Sequence, residues 1–296
     1  MSHRRFHAIE LELIKCEHEV ITLLQSRQSE TERNNMGKLS GLIWFEFVPS
    51  VDPRELRKSI VEWKPFSDWY SELDSSLVIE RRQSSRDREN GIMIQSIDFF
   101  GSRIGFVKFK AFVTKRDTRD NTQRLKVPGI VFMRGAAVAL LPVITVDGDA
   151  EPYTLLTLQA RVPIGKAAFP EIPAGMMDGE NNFVGTAARE LKEETGILPD
   201  RTELTDLTKE IYGNRFHGMY PSPGGCDEYL RIFLWERKMS WLDYQELIRK
   251  VTQTVYGVKK EGEEIKVKVI KLKDLHTSTP DAKALSALTL YNAYKR

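Results

Sequence analysis

The feature that most restricts the fold is a helix-forming run with crowded glutamates, within residues 174–198 (AGMMDGENNFVGTAARELKEETGIL). Helix formers dominate from Phe183 to Thr195, and Gly196 is a natural C-terminal cap. Three glutamates occupy positions i, i+3 and i+4 of this run: Glu190, Glu193 and Glu194. A helix therefore places three carboxylates on one face, within about 6 Å of one another.

Like charges at this spacing destabilise a helix unless a positive charge lies between them. Arg189 is i, i+4 to Glu193 and offsets one charge, but not all three. The missing charge is most simply a divalent cation, and oxygen ligands favour Mg²⁺ or Mn²⁺ over zinc or copper. The alternative is an ordinary solvated acidic face.

Overall charge and apolar content exclude several classes of protein. The net charge of +2, from 44 basic and 42 acidic residues, is too balanced for a protein that holds nucleic acid mainly by charge. No run approaches the roughly 18–20 apolar residues of a membrane-spanning helix. Cys16 and Cys226 cannot form a disulfide framework. Because acids follow Phe6, a secretory signal or transit peptide is not indicated. We expect a cytoplasmic location, with organellar import left open.

Hydrophobic periodicity predicts three regions: an N-terminal helical extension (1–40), an α+β region (41–127) and a catalytic domain (128–296). Within the first two regions we predict a helix at 7–26, a linker at 25–38, a helical pattern at 52–63 and an exposed loop at 81–90. The helix at 7–26 packs either on its own domain or on a partner. Alternation predicts strands at 92–99, 105–114, 130–142 and 154–162.

The glutamate run resembles the Nudix signature. Its glycine corresponds to Gly175, and its helical part reads Arg189-Glu-Leu-Lys-Glu-Glu-Thr-Gly-Ile197 at the spacing of that motif. One position departs, because Asn181 stands where the motif has its early glutamate. Upstream, Glu171-Ile-Pro-Ala-Gly175 has the character of a strand end that turns into a glycine loop.

The resemblance extends over roughly residues 95–294 and is greatest to the ADP-sugar diphosphatase and ADP-ribose pyrophosphatase branch, closest to the plant-type enzymes. It implies an α+β fold, an α/β/α sandwich with a mixed central sheet, preceded by an N-terminal helix and small β-sheet. It also implies Mg²⁺-dependent hydrolysis of the pyrophosphate of a nucleoside diphosphate sugar, ADP-ribose or ADP-glucose, to AMP and a sugar phosphate.

Carried over residue by residue, the resemblance implies a metal site of Glu190 and Glu194 with the backbone carbonyl of Ala174. Glu193 shares a metal or a bound water, and Arg189 orients the glutamates by a salt bridge. The general base comes from the acidic loop at 260–264, where the alignment leaves Glu261 and Glu263 as alternatives.

The resemblance further implies substrate contacts, for which the candidates are Arg161, Arg134, Gly224, Gly225 and Glu228. Arg161 is the best phosphate contact among them, since a guanidinium suits paired phosphate oxygens. Members of this branch are commonly homodimers, which suggests dimer or base contacts for the aromatic residues Trp44, Phe45, Phe66, Trp69, Phe99 and Phe100; the alternative for each is the hydrophobic core.

Two alternative functions stay open at this point. A UDP-sugar diphosphatase would carry the same motif, since the motif acts on the pyrophosphate and does not select the base. A Nudix-fold module that binds a nucleotide, RNA or protein without catalysis is suggested by Asn181 and the N-terminal extension.

Overall fold

The computed structural model of the protein describes residues 39–46, 51–120, 122–177, 182–258 and 262–296. Its contacts divide the chain into two compact units, residues 1–134 with 222–227 and residues 135–221 with 228–296. The predicted boundary after residue 127 lies shortly before this division. The predicted helix at 7–26 and linker at 25–38 lie outside the described residues.

The first unit is built on a four-stranded sheet in the order β1-β3-β4-β7. Its strands are β1 (Ile43–Phe45), β3 (Ile92–Phe100), β4 (Arg103–Ala111) and β7 (Ile130–Met133). β1 runs parallel to β3, and the other neighbours are antiparallel. The helices α1 (Pro53–Glu62) and α2 (Lys64–Ser71) share a hydrophobic core with this sheet. The helical pattern predicted at 52–63 is confirmed.

A second, three-stranded antiparallel sheet divides one of the predicted strands. It has the order β2-β5-β6, with β2 (Leu77–Ile79), β5 (Val113–Arg116) and β6 (Arg124–Val127). The single strand predicted at 105–114 is therefore wrong, because β4 and β5 belong to different sheets. The chain changes sheet at Phe112, whose amide bonds the Gly91 carbonyl at 3.0 Å. The segment at 81–90 contains neither helix nor strand and is mostly exposed, as predicted.

The aromatic residues of this unit are divided between core and surface. The Phe66 and Trp69 rings pack against Phe109 at centroid distances of 5.5 and 5.0 Å. Trp44 is buried as well, whereas Phe99 and Phe100 are exposed. The core interpretation is therefore the better one for Trp44, Phe66 and Trp69.

The second unit is built on a seven-stranded mixed sheet in the order β10-β9-β8-β13-β12, with β11 paired to β8 and β14 paired to β9. Its strands are β8 (Ala137–Val146), β9 (Tyr153–Arg161), β10 (Lys166–Glu171), β11 (Ala174–Met176), β12 (Leu204–Asp206), β13 (Leu230–Met239) and β14 (Lys266–Lys271). β8 and β13 run parallel, and the other pairs are antiparallel.

Helices cover both faces of this sheet. They are α3 (Phe183–Thr195), α4 (Leu207–Tyr212), α5 (Trp241–Gln253), α6 (Leu275–Ser278) and α7 (Ala282–Tyr294). Successive side chains of β8 enter opposite cores, Leu141 with α4, α6 and α7 and Leu140 with α3 and α5. A sheet buried on both faces is the predicted α/β/α sandwich, and the α+β class is confirmed.

The strand predicted at 130–142 is in fact two strands, one in each unit. β7 ends at Met133 and β8 begins at Ala137. Between them Gly135 has a φ of 83°, in the left-handed region that breaks an extended chain. No helix in the described part of the chain is long and apolar enough to cross a membrane.

Leu141 should be a major contributor to the stability of the second unit. It is fully buried in the middle of β8, so Leu141→Ala removes apolar contacts and leaves a cavity. We expect the free energy of unfolding to fall by about 3–5 kcal/mol. The matched control is Leu242→Ala, because Leu242 is 77% exposed and should change stability by less than about 0.5 kcal/mol. Equal effects of the two substitutions in chemical denaturation would contradict the assigned core.

Candidate active site

The glutamate helix α3 forms where the sequence predicts it. Asn182 caps its start, accepting a hydrogen bond from the Gly185 amide at 2.9 Å. It ends at Thr195, after which Gly196 takes a left-handed conformation with a φ of 73°. Both the helix and its glycine cap are confirmed.

Glu194 lies deepest among the glutamates, with only 6% of its surface exposed. One carboxylate oxygen accepts a hydrogen bond from Nε2 of Gln159 on β9 at 3.1 Å. The other accepts one from the backbone amide of Ala174 on β11 at 3.2 Å. Two strands of the sheet therefore hold one carboxylate of the helix in place.

Glu190 lies one helical turn before Glu194, and its side chain is 14% exposed. Nη2 of Arg189 donates to its carboxylate at 3.3 Å. The carboxylate lies directly over Gly175, where an added Cβ atom would be 2.1 Å from its Cδ atom. Only glycine permits this approach.

The segment around Gly175 is a strand and not the predicted glycine loop. The chain leaves β10 at Glu171 and forms the short strand β11, in which Gly175 pairs with Val138 of β8. This pairing adds β11 to the central sheet, so the backbone beneath Glu190 is fixed by strand hydrogen bonds.

Burial strongly perturbs both carboxylates. It raises the pKa of Glu194 from 4.5 to about 8, and repulsion from Glu190 adds to this effect. The hydrogen bonds from Ala174 and Gln159 oppose it. Burial also raises the pKa of Glu190 to about 7, with Arg189 opposing the shift and Glu193 adding to it. The pair therefore holds more negative charge than its protein surroundings neutralise.

Glu193 differs from the other two glutamates, because it is exposed. Its backbone carbonyl accepts a hydrogen bond from the Gly257 amide at 3.3 Å. Within the described ranges, no three acidic, histidine or cysteine side chains are grouped so that they could hold a metal ion. The structure thus brings together the buried carboxylate of Glu194 and the half-buried carboxylate of Glu190, and the role of Glu193 at a metal stays a prediction.

Of the two base candidates, Glu261 lies outside the described residues. Glu263 is half-buried and accepts a hydrogen bond from the Val258 amide at 3.0 Å. Its negative charge contributes to the raised pKa of Glu190, which puts it within electrostatic reach of the carboxylate pair. The choice between Glu261 and Glu263 stays open.

The donors present suit a hard divalent cation. Glu190 and Glu194 offer carboxylate oxygens, and the neighbouring Ala174 offers a backbone carbonyl oxygen. Burial is the main cause of their raised pKa values and repulsion from neighbouring carboxylates adds to it, an effect that a bound cation would relieve. These residues therefore fit Mg²⁺ or Mn²⁺ better than a metal that prefers sulfur or nitrogen.

The structure places Arg161 at the end of β9, beside the buried Glu171 of β10. Its Nε and Nη2 atoms donate to the two carboxylate oxygens at 2.5 and 3.1 Å. Arg161 and Gln159 lie two residues apart on one strand and therefore on the same face of β9. Neither Gln159 nor Glu171 was among the predicted site residues. Residues two positions apart in a strand share a face, so the predicted role of Arg161 could have drawn attention to Gln159 as well.

The remaining predicted substrate contacts are divided between the two units. Arg134 and the turn with Gly224 and Gly225 belong to the first unit. There the Arg134 amide donates to the Asp227 carboxylate at 2.8 Å, and the Gly225 carbonyl accepts from the Phe132 amide at 2.8 Å. In the second unit, Glu228 is half-buried next to the start of β13. Their roles in substrate binding stay predictions.

The raised pKa of Glu194 predicts that the metal-free protein loses stability as the pH rises. The folded state binds this proton more tightly than the unfolded state, whose pKa is near 4.5. The stabilisation is therefore complete below about pH 4.5 and is lost as the pH rises toward the folded value of about 8, by roughly 5 kcal/mol. Chemical denaturation in EDTA at several pH values measures the loss. A Glu194→Gln variant with the same pH slope would contradict the assignment.

Comparison with known proteins agrees with these features. Residues 133–288 match the NUDIX domain family. Over 232 residues the chain is 40% identical to Nudix hydrolase 14, chloroplastic, of Arabidopsis thaliana. The aligned part covers 78% of this chain and 71% of that protein. An uncharacterized Nudix hydrolase of Schizosaccharomyces pombe is 36% identical over 104 residues, 35% of this chain and 44% of the relative.

Proposed function

Since the chain belongs to the Nudix family and is a hydrolase of phosphorus anhydrides, we propose that its substrates are ADP-sugars. In this proposal, ADP-ribose or ADP-glucose is hydrolysed at the pyrophosphate to AMP and a sugar phosphate. The observation that supports hydrolysis is the carboxylate pair of the buried Glu194 and the half-buried Glu190, which lies over Gly175. The resemblance of residues 95–294 to the ADP-sugar branch supports the choice of substrate.

A divalent metal is general in this family, and we propose Mg²⁺ for this chain. Glu190, Glu194 and the Ala174 carbonyl would hold it, with Glu193 on an exposed position of the same turn. The bound ion would supply charge neutralisation at the phosphates and a lowered pKa for an attacking water. Arg189 donates to Glu190 and so keeps that carboxylate oriented.

A general base must accept a proton from the attacking water. We propose that Glu261 or Glu263 fulfils this role. For Glu263 the support is its electrostatic reach to Glu190 and its anchoring by the Val258 amide. Gly257 and Gly262 lie close to Glu263 in the sequence and have left-handed φ values of 97° and 75°, which give the backbone sharp turns.

The test is a comparison of kcat/KM for ADP-ribose, ADP-glucose and UDP-glucose with Mg²⁺, with products separated by chromatography. We expect AMP and a sugar phosphate, and at least a 10-fold preference for one of the ADP-sugars. The EDTA-treated protein is the control and should be inactive. A preference for UDP-glucose would replace the proposal by the alternative of a UDP-sugar diphosphatase.

We also propose that the protein is a homodimer in the cytoplasm. The dimer rests on the resemblance, and the exposed Phe99 and Phe100 offer apolar surface for it. Sedimentation equilibrium would test the dimer. The Arabidopsis relative is chloroplastic by name, so a fluorescent fusion should be scored for organelles as well. Family membership among hydrolases disfavours the alternative of a binding module without catalysis.

A further inference from the structure

A buried ion-pair network adjoins the carboxylate pair in the second unit. Its centre is Glu171, the last residue of β10, which is 3% exposed. Arg161 binds both oxygens of this carboxylate, and Lys283 of α7 binds one of them as well. Lys283 also donates to Asp281 at 3.1 Å. Two cations and two anions are thus paired around a carboxylate that is closed to water, with Arg161 at the exposed edge of the network.

The charges of this network hold Glu171 ionised in spite of its burial. Burial alone would raise its pKa, but Arg161 and Lys283 together lower it below the ordinary value. A buried carboxylate that keeps its charge is a rigid attachment point, since both its oxygens are used.

Arg161 is held on one side and open on the other. Its side chain is 39% exposed, in contrast to the nearly inaccessible Glu171. The hydrogen bonds to Glu171 use Nε and Nη2. Among the described residues, its Nη1 group has no hydrogen-bond partner. Arg161 also lies close enough to Glu194 for the two charges to interact.

We propose that Glu171 is a positioning residue, which fixes the Arg161 guanidinium beside the carboxylate pair so that Nη1 binds a phosphate oxygen of the substrate. Lys283 completes the attachment from the C-terminal helix α7. Without Glu171 the long Arg161 side chain would sample several rotamers, and phosphate binding would have to order it. This inference rests on the proposed function only in requiring a pyrophosphate-containing ligand.

The test combines Glu171→Gln, Arg161→Ala and the double variant in a mutant cycle. The first readout is the KM and kcat of the best ADP-sugar. The second is the Kd of methylenediphosphonate with Mg²⁺, which depends neither on the base and sugar nor on turnover. We expect Glu171→Gln to raise KM and Kd about 10-fold or more, with a smaller change in kcat. The double variant should be no weaker than Arg161→Ala, because Glu171 acts through Arg161.

A matched control is available at the other end of β9. There the Asp149 carboxylate pairs with Lys271 at 2.5 Å near Tyr153, roughly 26 Å along the strand from Arg161. Asp149→Asn removes a more exposed ion pair distant from Arg161 and should change Kd by less than 2-fold. If it weakens binding as much as Glu171→Gln does, general destabilisation and not positioning is the cause, and the proposal is overturned.

Other outcomes are equally decisive. If Glu171→Gln does not fold, Glu171→Asp keeps the charge but withdraws it from Arg161, and the same rise in Kd is expected. An unchanged Kd in the folded variant, or additive losses in the double variant, overturns the proposal. If the wild type binds methylenediphosphonate but hydrolyses no ADP-sugar, the proposed substrate fails while the cycle in Kd still tests the positioning role.

Discussion

Glu194→Gln is expected to lower kcat/KM by at least about 10²-fold, since loss of even an outer-shell partner of a metal costs 10- to 100-fold. The substitution keeps the size of Glu194, and the new Gln side chain can accept a hydrogen bond from the Ala174 amide through its oxygen and donate one to Gln159, whose side-chain amide turns over to present its oxygen. It removes the negative charge that the proposed Mg²⁺ would need. The loss should therefore arise from chemistry and not from misfolding.

The same substitution should make the metal-free protein more stable above pH 7. The buried charge of Glu194 is unfavourable there, because burial raises its pKa to about 8. Thermal denaturation at pH 8 in EDTA compares the two proteins directly. A variant that is inactive and also less stable would indicate a structural role for Glu194, and unchanged turnover would remove it from the proposed metal site.

Gly175→Ala should lower kcat/KM by about 10²-fold, the loss that a displacement of about 1 Å at an active site can cause. The added methyl group would occupy the space of the Glu190 carboxylate, whose Cδ atom would be 2.1 Å away. Because β11 is paired with β8, the strand cannot easily retreat, so the glutamate must move. Steady-state kinetics with the best ADP-sugar measures the effect.

Gly185→Ala is the matched control for this substitution. Gly185 lies in the first turn of α3, and the atoms nearest to a Cβ atom there belong to the capping side chain of Asn182, so the substitution disturbs the N-terminal cap and not a glutamate. We expect turnover within about 3-fold of the wild type, since alanine is favoured over glycine in a helix. If both variants lose activity equally, α3 as a whole is disturbed and the specific contact of Gly175 with Glu190 is not the cause.

Local patterns predicted the glutamate helix α3 well, and long-range contacts explain the site residues that they missed. The span of α3 and its cap at Gly196 depend on neighbours within a few residues, so periodicity and composition suffice. Gln159 and Glu171 are separated from Glu194 by up to 35 residues, and strand pairing brings them together. No motif spacing encodes that pairing, although the resemblance already pointed to Arg161.

The errors in the predicted strands also arise from long-range contacts. Segments 105–114 and 130–142 are both rich in apolar and strand-forming residues, so the local pattern predicts one strand in each. In the structure each of them is divided, at Phe112 and around Gly135, as the chain passes from one sheet to another. A change of sheet depends on tertiary packing and leaves only a weak trace in the local sequence. The predicted glycine loop at Gly175 is wrong for the same reason, because the segment pairs with β8 and forms the strand β11.

The hydrogen bond from Gln159 to Glu194 has a consequence for protein engineering. A designer who transplants residues 174–198 into another scaffold would carry over the helix, the glycine beneath Glu190 and the Ala174 amide. The amide donor on β9 would be left behind, and the deepest carboxylate would arrive with half of its hydrogen bonds. A functional graft must therefore include a glutamine, or an equivalent hydrogen-bond donor, on the strand of the new host that faces the transplanted helix.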